Sequence, residues 1–169
     1  MGCCSRHDEI NSLLKRALVQ AKIPAINEPS NLSRSDGKRP DGLTLTTWKS
    51  GRNLIWDVTV ADTLCQSYVN QCSKLAGAAA DLREDKKNSK YKELAENYCF
   101  VPVGIETLGA LGTESHKLVK QIGEKVAEET GEKKSNIIPV STNFYGHTKR
   151  QLKLCFRNSP TFKRLGGSF

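Results

Sequence analysis

The chain has 169 residues, of which 37% are hydrophobic and 26% are charged. This length predicts one domain with a sizeable core, and the composition is typical of a globular protein. No apolar run approaches the ~20 residues that a membrane helix needs, and the N-terminus lacks the apolar stretch of a secretory signal. We therefore expect an intracellular protein, nuclear or cytoplasmic, that is neither secreted nor inserted in a membrane.

The net charge of +8 is unevenly distributed along the chain. Residues 1–132 carry 18 basic and 18 acidic side chains, whereas residues 133–169 carry eight basic side chains and no acidic one. A basic segment of this kind can bind nucleic acid by neutralising phosphates and releasing counterions. Lys149, Arg150 and Lys153 are the candidate phosphate contacts there. A solubilising tail without a specific partner is the alternative.

An amphipathic helix is predicted from Asp8 to Lys22. Its apolar residues recur with helical spacing, at Ile10, Leu13, Leu14, Ala17, Leu18 and Ala21. Asp8 is a candidate N-cap, and Glu9 lies in the first turn, where the helix dipole favours an acid. Pro24 is expected to end the helix, and residues 23–27 form a short candidate strand.

Two acidic residues lie in the next predicted strands. Thr44–Leu45 and Asn53–Val60 are rich in large apolar and β-branched residues, which favours strands, and Trp48–Gly51 between them favours a hairpin turn. Asp41 precedes the first strand, and Asp57 lies inside the second.

The positions of Asp41 and Asp57 allow two interpretations. A carboxylate inside an apolar strand is costly to bury unless it is paired or bound to a metal. Two carboxylates on neighbouring strands can converge on one Mg²⁺, which takes oxygen ligands and needs only one or two carboxylates. Alternatively, Asp41 caps a turn and Asp57 points to solvent from an edge strand.

The region after the second strand favours helices. Asp62 is expected to cap a helix from Thr63 to about Leu75, and residues 77–87 favour a second helix, interrupted at Asn88 and continued through Leu94. Basic residues accumulate here and in the preceding loop. The candidate phosphate contacts among them are Arg39, Lys86 and Lys87, although a solvated helix face is the usual explanation for such a cluster.

A further strand and helix complete the predicted fold. Phe100–Ile105 favours a strand, and Pro102 within it indicates an edge position or a bulge. Thr113 is expected to cap a helix that reaches Thr130 and ends at Gly131. Residues 137–140 form a weak strand candidate. The order of elements predicts an α/β fold, with a small mixed β-sheet flanked by helices.

The motif Arg39-Pro40-Asp41, followed by the strand Ile55-Trp56-Asp57-Val58-Thr59-Val60, resembles the restriction-like endonuclease of non-long-terminal-repeat retrotransposon polyproteins. That domain belongs to the PD-(D/E)XK superfamily. Other matching segments lie in the expected order; they are His7–Ile10, Glu28–Pro29, Gly77–Ala79, Lys90–Tyr91 and Phe100–Gly109. The resemblance covers residues 7–130. It divides the chain into an unrelated start at 1–6, the nuclease-like domain at 7–132 and a basic tail at 133–169. This organisation is expected of a truncated copy of the retrotransposon polyprotein.

The resemblance implies a Mg²⁺- or Mn²⁺-dependent DNA endonuclease with no small-molecule cofactor. It does not specify the oligomeric state. Asp41 and Asp57 would hold the metal, and Glu9 would contact it through water. The superfamily pattern places a catalytic lysine two residues after the second acid, where this chain has Thr59. In the retrotransposon branch the lysine lies on the following helix, and Lys90 matches it, with Tyr91 beside it.

An alternative function stays open at this point. The chain can be a domesticated or decaying remnant of the element, which keeps the fold and binds nucleic acid but has lost turnover. A shared fold alone does not carry an activity with it, so the chemistry of the site must decide between the two.

Overall fold

The computed structural model describes residues 3–30, 32, 37 and 39–131. The elements in chain order are α1 (Cys3–Gln20), β1 (Ala25–Asn27), β2 (Gly42–Lys49), β3 (Arg52–Ala61), the short α2 (Val69–Cys72), α3 (Ala78–Lys90), a 3₁₀ turn (Leu94–Glu96), β4 (Cys99–Glu106) and α4 (Thr113–Thr130). The predicted α/β class is confirmed.

The described strands form one mixed sheet in the order β1-β2-β3-β4. The pairs β1–β2 and β2–β3 are antiparallel, whereas β3 and β4 run parallel, with Asp57 opposite Pro102. A parallel pair needs a crossover connection, and α3 supplies it. The predicted edge position of Pro102 is confirmed, since β3 is the one neighbour of β4 among the described strands.

The β2–β3 hairpin is tighter than the sequence predicts. Lys49 still pairs with Arg52, so the turn consists of Ser50 and Gly51 alone, and both have positive φ angles, of 51° and 73°. Two-residue hairpin loops favour positive φ because the backbone twist then matches that of the strands.

Helices cover both faces of the sheet. On one face, α1 packs against β3 and α4 packs against β4, and the main apolar core between them includes Leu54, Trp56 and Val58 of β3. On the other face, α3 lies so close to β4 that a Cβ atom on Gly104 would come within 2.7 Å of the Ala80 carbonyl oxygen. The second face carries Asp57, because side chains alternate between faces along a strand.

The first helix begins earlier than the sequence predicts. It starts at Cys3, so Asp8 is not its N-cap and Glu9 does not lie in its first turn. No Gly or Pro between Cys3 and Asp8 opposes the helix. It ends at Gln20 rather than Lys22, which has a positive φ of 58°.

The predicted helix from Thr63 to Leu75 is wrong in most of its length, since only Val69–Cys72 is helical. The Asp62 carboxylate accepts the Leu64 N–H, which forms a local turn, and the Leu64 side chain is exposed instead of lying in the core.

The predicted interruption of α3 at Asn88 is also wrong, as is the continued helix through Leu94, since α3 runs unbroken to Lys90. The Ser89 hydroxyl donates to the Asp85 carbonyl within the helix instead of capping a new one.

The last described helix, α4, ends before a left-handed Gly131, as predicted, but it begins at Thr113, so Gly112 rather than Thr113 is its N-cap. The candidate strand at 137–140 and the basic tail at 133–169, including Lys149, Arg150 and Lys153, lie outside the described residues. No helix within the described ranges combines the length and apolar character that crossing a membrane requires.

Candidate active site

The two acids of the candidate site come together where β2 begins beside the middle of β3. The Asp41 N–H donates to the Trp56 carbonyl at 2.9 Å, and Gly42 pairs with Trp56 in the next register position. A Cβ atom on Gly42 would lie 1.9 Å from the Trp56 ring, so only glycine allows the ring to cross the strand here. This close approach fixes Asp41 at the level of Asp57.

Asp41 completes the edge of β3 beyond the start of β2. Its Oδ2 accepts the Val58 N–H at 2.6 Å, at a register position that has no β2 partner. The same oxygen accepts a hydrogen bond from His7 Nε2 on α1 at 2.9 Å. The carboxylate is thus held by one backbone and one side-chain donor.

Asp57 faces α3 from the centre of the sheet and is only 5% exposed. Its Oδ1 accepts a hydrogen bond from Lys87 Nζ at 2.8 Å. A buried carboxylate requires a counter-charge or several hydrogen bonds, and the half-buried Lys87 ammonium supplies the charge.

Electrostatics couples the two acids. Burial raises the pKa of Asp41, and the neighbouring Asp57 carboxylate raises that pKa further. The Val58 N–H and His7 act in the opposite direction, because both favour the charged form of Asp41. A carboxylate whose proton affinity is raised by a neighbouring carboxylate belongs to a site that a proton or a cation stabilises.

The donor set at Asp41 and Asp57 fits a magnesium ion. Two carboxylates are the usual protein contribution to a Mg²⁺ site, where water and phosphate oxygens fill the other positions. The described part of the chain contains no group of three or more His, Cys, Asp and Glu side chains placed to hold a metal.

The lysine beside the acids is Lys87, which the sequence indicated only as a phosphate contact. Lys90, matched by the resemblance, lies on the last turn of α3 and is exposed. Lys86, one residue before Lys87, is also exposed. Helical spacing contains a signal for Lys87: it follows Ala80 by seven residues and Glu84 by three, and both of these are buried against the sheet.

The remaining predicted site residues are distributed around this centre. Tyr91 is buried; its hydroxyl donates to the Arg39 carbonyl at 3.1 Å, and its ring stacks on Phe100. The exposed Arg39 guanidinium pairs with Glu28 at 2.6 Å. Glu9 is half-buried on α1.

Sequence reasoning missed His7 as a contact of Asp41. The two residues are 34 positions apart, and they meet because α1 packs on the sheet with its N-terminal turns near the start of β2. The histidine has no local pattern that singles it out.

Comparison with models of known protein families and with curated protein sequences finds no match. The fold and the site define an α/β protein with a buried and a half-buried carboxylate side by side and an adjacent lysine at the middle of a mixed sheet.

Proposed function

We propose that this protein is a Mg²⁺-dependent endonuclease that nicks DNA, related to the restriction-like endonucleases of non-long-terminal-repeat retrotransposons. The observation that carries the proposal is the convergence of Asp41, which directly precedes β2, with Asp57 of β3 and Lys87 of α3. Two carboxylates and one amine are the groups that metal-dependent phosphodiester hydrolysis requires.

Asp41 and Asp57 would hold the ion, with Mn²⁺ as a substitute for Mg²⁺. When bound, the ion polarises the phosphate and lowers the pKa of its coordinated water. The contribution of the protein is to hold both carboxylates in place. The Val58 N–H does this for Asp41, and this hydrogen bond opposes the rise in the pKa of Asp41 that burial and Asp57 cause.

Lys87 would orient the attacking water and offset negative charge in the transition state. In the reaction the water oxygen forms a bond to phosphorus and releases a proton to solvent, the bond to the leaving sugar oxygen breaks, and that oxygen takes up a proton. The Lys87 ammonium lies 2.8 Å from Asp57, and this contact supports a role for its positive charge next to the proposed metal-binding acids. Lys90 stays a prediction for the same role, and paired variants distinguish the two.

DNA would approach across the exposed basic residues around the acids. Arg39 lies two residues before Asp41, and Lys86 lies one residue before Lys87, so both project from segments that form the site. The basic tail would add affinity that does not depend on sequence. The proposed substrate is DNA inside the cell, in the nucleus or cytoplasm.

A second candidate function is nucleic-acid binding without turnover, as in a decayed element. The Lys87–Asp57 ion pair supports this alternative, because it neutralises the buried acid without a cation. Under this hypothesis the site is a structural ion pair, and the protein binds DNA equally well in Mg²⁺ and in EDTA.

A plasmid-nicking assay decides between the two functions. Supercoiled DNA is incubated with the wild type in Mg²⁺, Mn²⁺ or EDTA, and with Asp41→Asn and Asp57→Asn in Mg²⁺. Asp62→Asn is a matched control, because Asp62 is an exposed acid directly after β3. We expect nicking by the wild type and the control only, and only with metal. Wild-type binding without nicking would instead support the second function.

A further inference from the structure

A chain of polar contacts connects the centre of the sheet to Asp41 through α1. The Trp56 indole N–H donates to Asn11 Oδ1 at 3.0 Å, and Asn11 Nδ2 lies 3.5 Å from His7 Nδ1. His7 Nε2 then lies 2.9 Å from Asp41 Oδ2. Trp56 is fully buried and Asn11 is 7% exposed, so the inner end of the chain is fixed by packing.

The chemistry of these groups determines which atom donates and which accepts in each of the contacts. An indole nitrogen can only donate, so Asn11 presents its oxygen to Trp56 and its amide N–H groups to His7. In the neutral histidine ring, Nδ1 then accepts from Asn11, and Nε2 carries the proton that it donates to Asp41. Asp8 Oδ1 lies 3.4 Å from the same Nδ1 and is the competing partner there.

Both donors to Asp41 bind the same oxygen. Oδ2 accepts the Val58 N–H and a hydrogen bond from the His7 ring, so these two donors restrict the rotation of a carboxylate that also lies within hydrogen-bond distance of Asp57. An outer group that holds a ligand by a hydrogen bond orients it and increases metal affinity. A strictly structural contact between α1 and β2 would give no such effect on the metal.

We propose that His7, oriented by Asn11 and Trp56, is a positioning residue that holds Asp41 ready to bind the divalent cation. The inference rests on the proposed function and extends it to a residue outside the metal-binding pair. His7 does not touch the substrate in this scheme, and it acts through the orientation of Asp41. Its loss therefore weakens metal binding more than it lowers turnover at saturating metal.

The test compares His7→Leu, which lacks the donor, with His7→Gln, whose amide can restore it. The His7 side chain is 32% exposed, so both variants are expected to fold, and circular dichroism checks this. Ser12→Ala, on the exposed side of α1, is the matched control. Mn²⁺ affinity is measured without DNA by electron paramagnetic resonance, and the Mg²⁺ concentration for half-maximal nicking is measured separately.

We expect His7→Leu to weaken Mn²⁺ binding and raise the half-maximal Mg²⁺ concentration about tenfold, with nicking recovered at high Mg²⁺. His7→Gln should recover most of the affinity, and Asn11→Ala should weaken binding in the same direction. Wild-type affinity in His7→Leu, or no recovery in His7→Gln, would overturn the role of His7. Wild-type protein that binds Mn²⁺ through both acids but does not nick would overturn the endonuclease proposal alone, and wild-type protein that does not bind Mn²⁺ would overturn both.

Discussion

Lys87 Nζ lies 2.8 Å from Asp57 Oδ1, and the two side chains differ in their access to solvent. The lysine side chain is 25% exposed, whereas the aspartate side chain is 6% exposed. The ammonium can therefore move aside when a cation or a phosphate enters, while the carboxylate is fixed by the sheet. Because the Lys87 ammonium can move while the Asp57 carboxylate stays in place, the site can exist both with and without a bound metal ion.

From the pair formed by Lys87 and Asp57, we expect Lys87 to be the lysine that supports turnover. Lys87→Ala should lower the nicking rate about 100-fold and leave the Kd for DNA within a few-fold, because the charge acts at the transition state. Single-turnover nicking and filter binding measure the two effects.

Lys86→Ala and Lys90→Ala are the matched controls, since both lysines are exposed on the same helix. Each should change the rate less than threefold. A larger loss in Lys90→Ala than in Lys87→Ala would return the catalytic role to the residue that the family resemblance matches.

We expect the ionisation of Asp41 to lower the free energy of unfolding in a pH-dependent way. Its folded pKa is raised above the usual value of 3.8, chiefly by burial and then by Asp57. The stability that this group contributes is therefore present below pH 3.8 and is lost as pH rises through the folded pKa. In the absence of metal at pH 7.5, Asp41→Asn should stabilise the protein by about 1 kcal/mol, a value kept small by solvent screening.

Chemical unfolding of the wild type and Asp41→Asn between pH 3.5 and 8 measures this difference in the free energy of unfolding. The gain should vanish toward the acid end, where Asp41 is protonated in both states. Mg²⁺ should stabilise the wild type and not the variant. A variant that is less stable than the wild type at pH 7.5 without metal would contradict the prediction.

The strands around the acids and the side of α3 that faces them could be predicted from the sequence, but the contact of His7 with Asp41 could not. Residues 52–61 contain large apolar and β-branched side chains that favour a strand in almost any context, and the structure has β3 there. The Lys87 contact depends on which side of α3 faces the sheet, which helical spacing indicates. The His7 contact depends on the packing angle of α1, and no local pattern encodes that angle.

The structure of the segment after β3 could not be predicted from the sequence. Its apolar residues, among them Leu64 and Leu75, predict a buried helix, yet both side chains are exposed. Helix propensity is a weak preference that tertiary packing overrides. Here the Asp62 turn and the contact of Tyr68 with Ala61 and Ala79 determine the path of the chain.

The basic tail predicts how binding depends on salt. Since residues 1–132 have no net charge, most nonspecific affinity should come from the eight basic residues of 133–169. Each phosphate neutralised adds about 0.9 to the slope of log K against log salt, so full engagement gives a slope of about −7. Deletion of 133–169 should flatten the slope in filter-binding measurements without changing the metal dependence of nicking. An unchanged slope would place the DNA-binding surface on the described domain.

The last prediction concerns Glu84, which stabilises the fold away from the proposed catalytic groups. Its buried carboxylate accepts N–H groups of Gly104, Glu114 and Ser115, and so joins α3 to β4 and to the start of α4. A helix start buried without such acceptors leaves unpaired donors, which cost about 1–3 kcal/mol each. Glu84→Ala should therefore destabilise the protein by about 3 kcal/mol, whereas Asp85→Ala, on the exposed side of α3, should change stability by less than about 0.5 kcal/mol.

The loss should also depend on pH. Burial raises the pKa of Glu84 above its usual value of 4.5, in spite of the donors that favour its charged form. The stability that the group contributes is then largest below pH 4.5 and falls as pH rises through the folded pKa. The destabilisation by Glu84→Ala, measured by urea unfolding, should accordingly be greater at pH 4 than at pH 8. A loss that grows with pH would show that the hydrogen bonds to the carboxylate outweigh the cost of burying its charge.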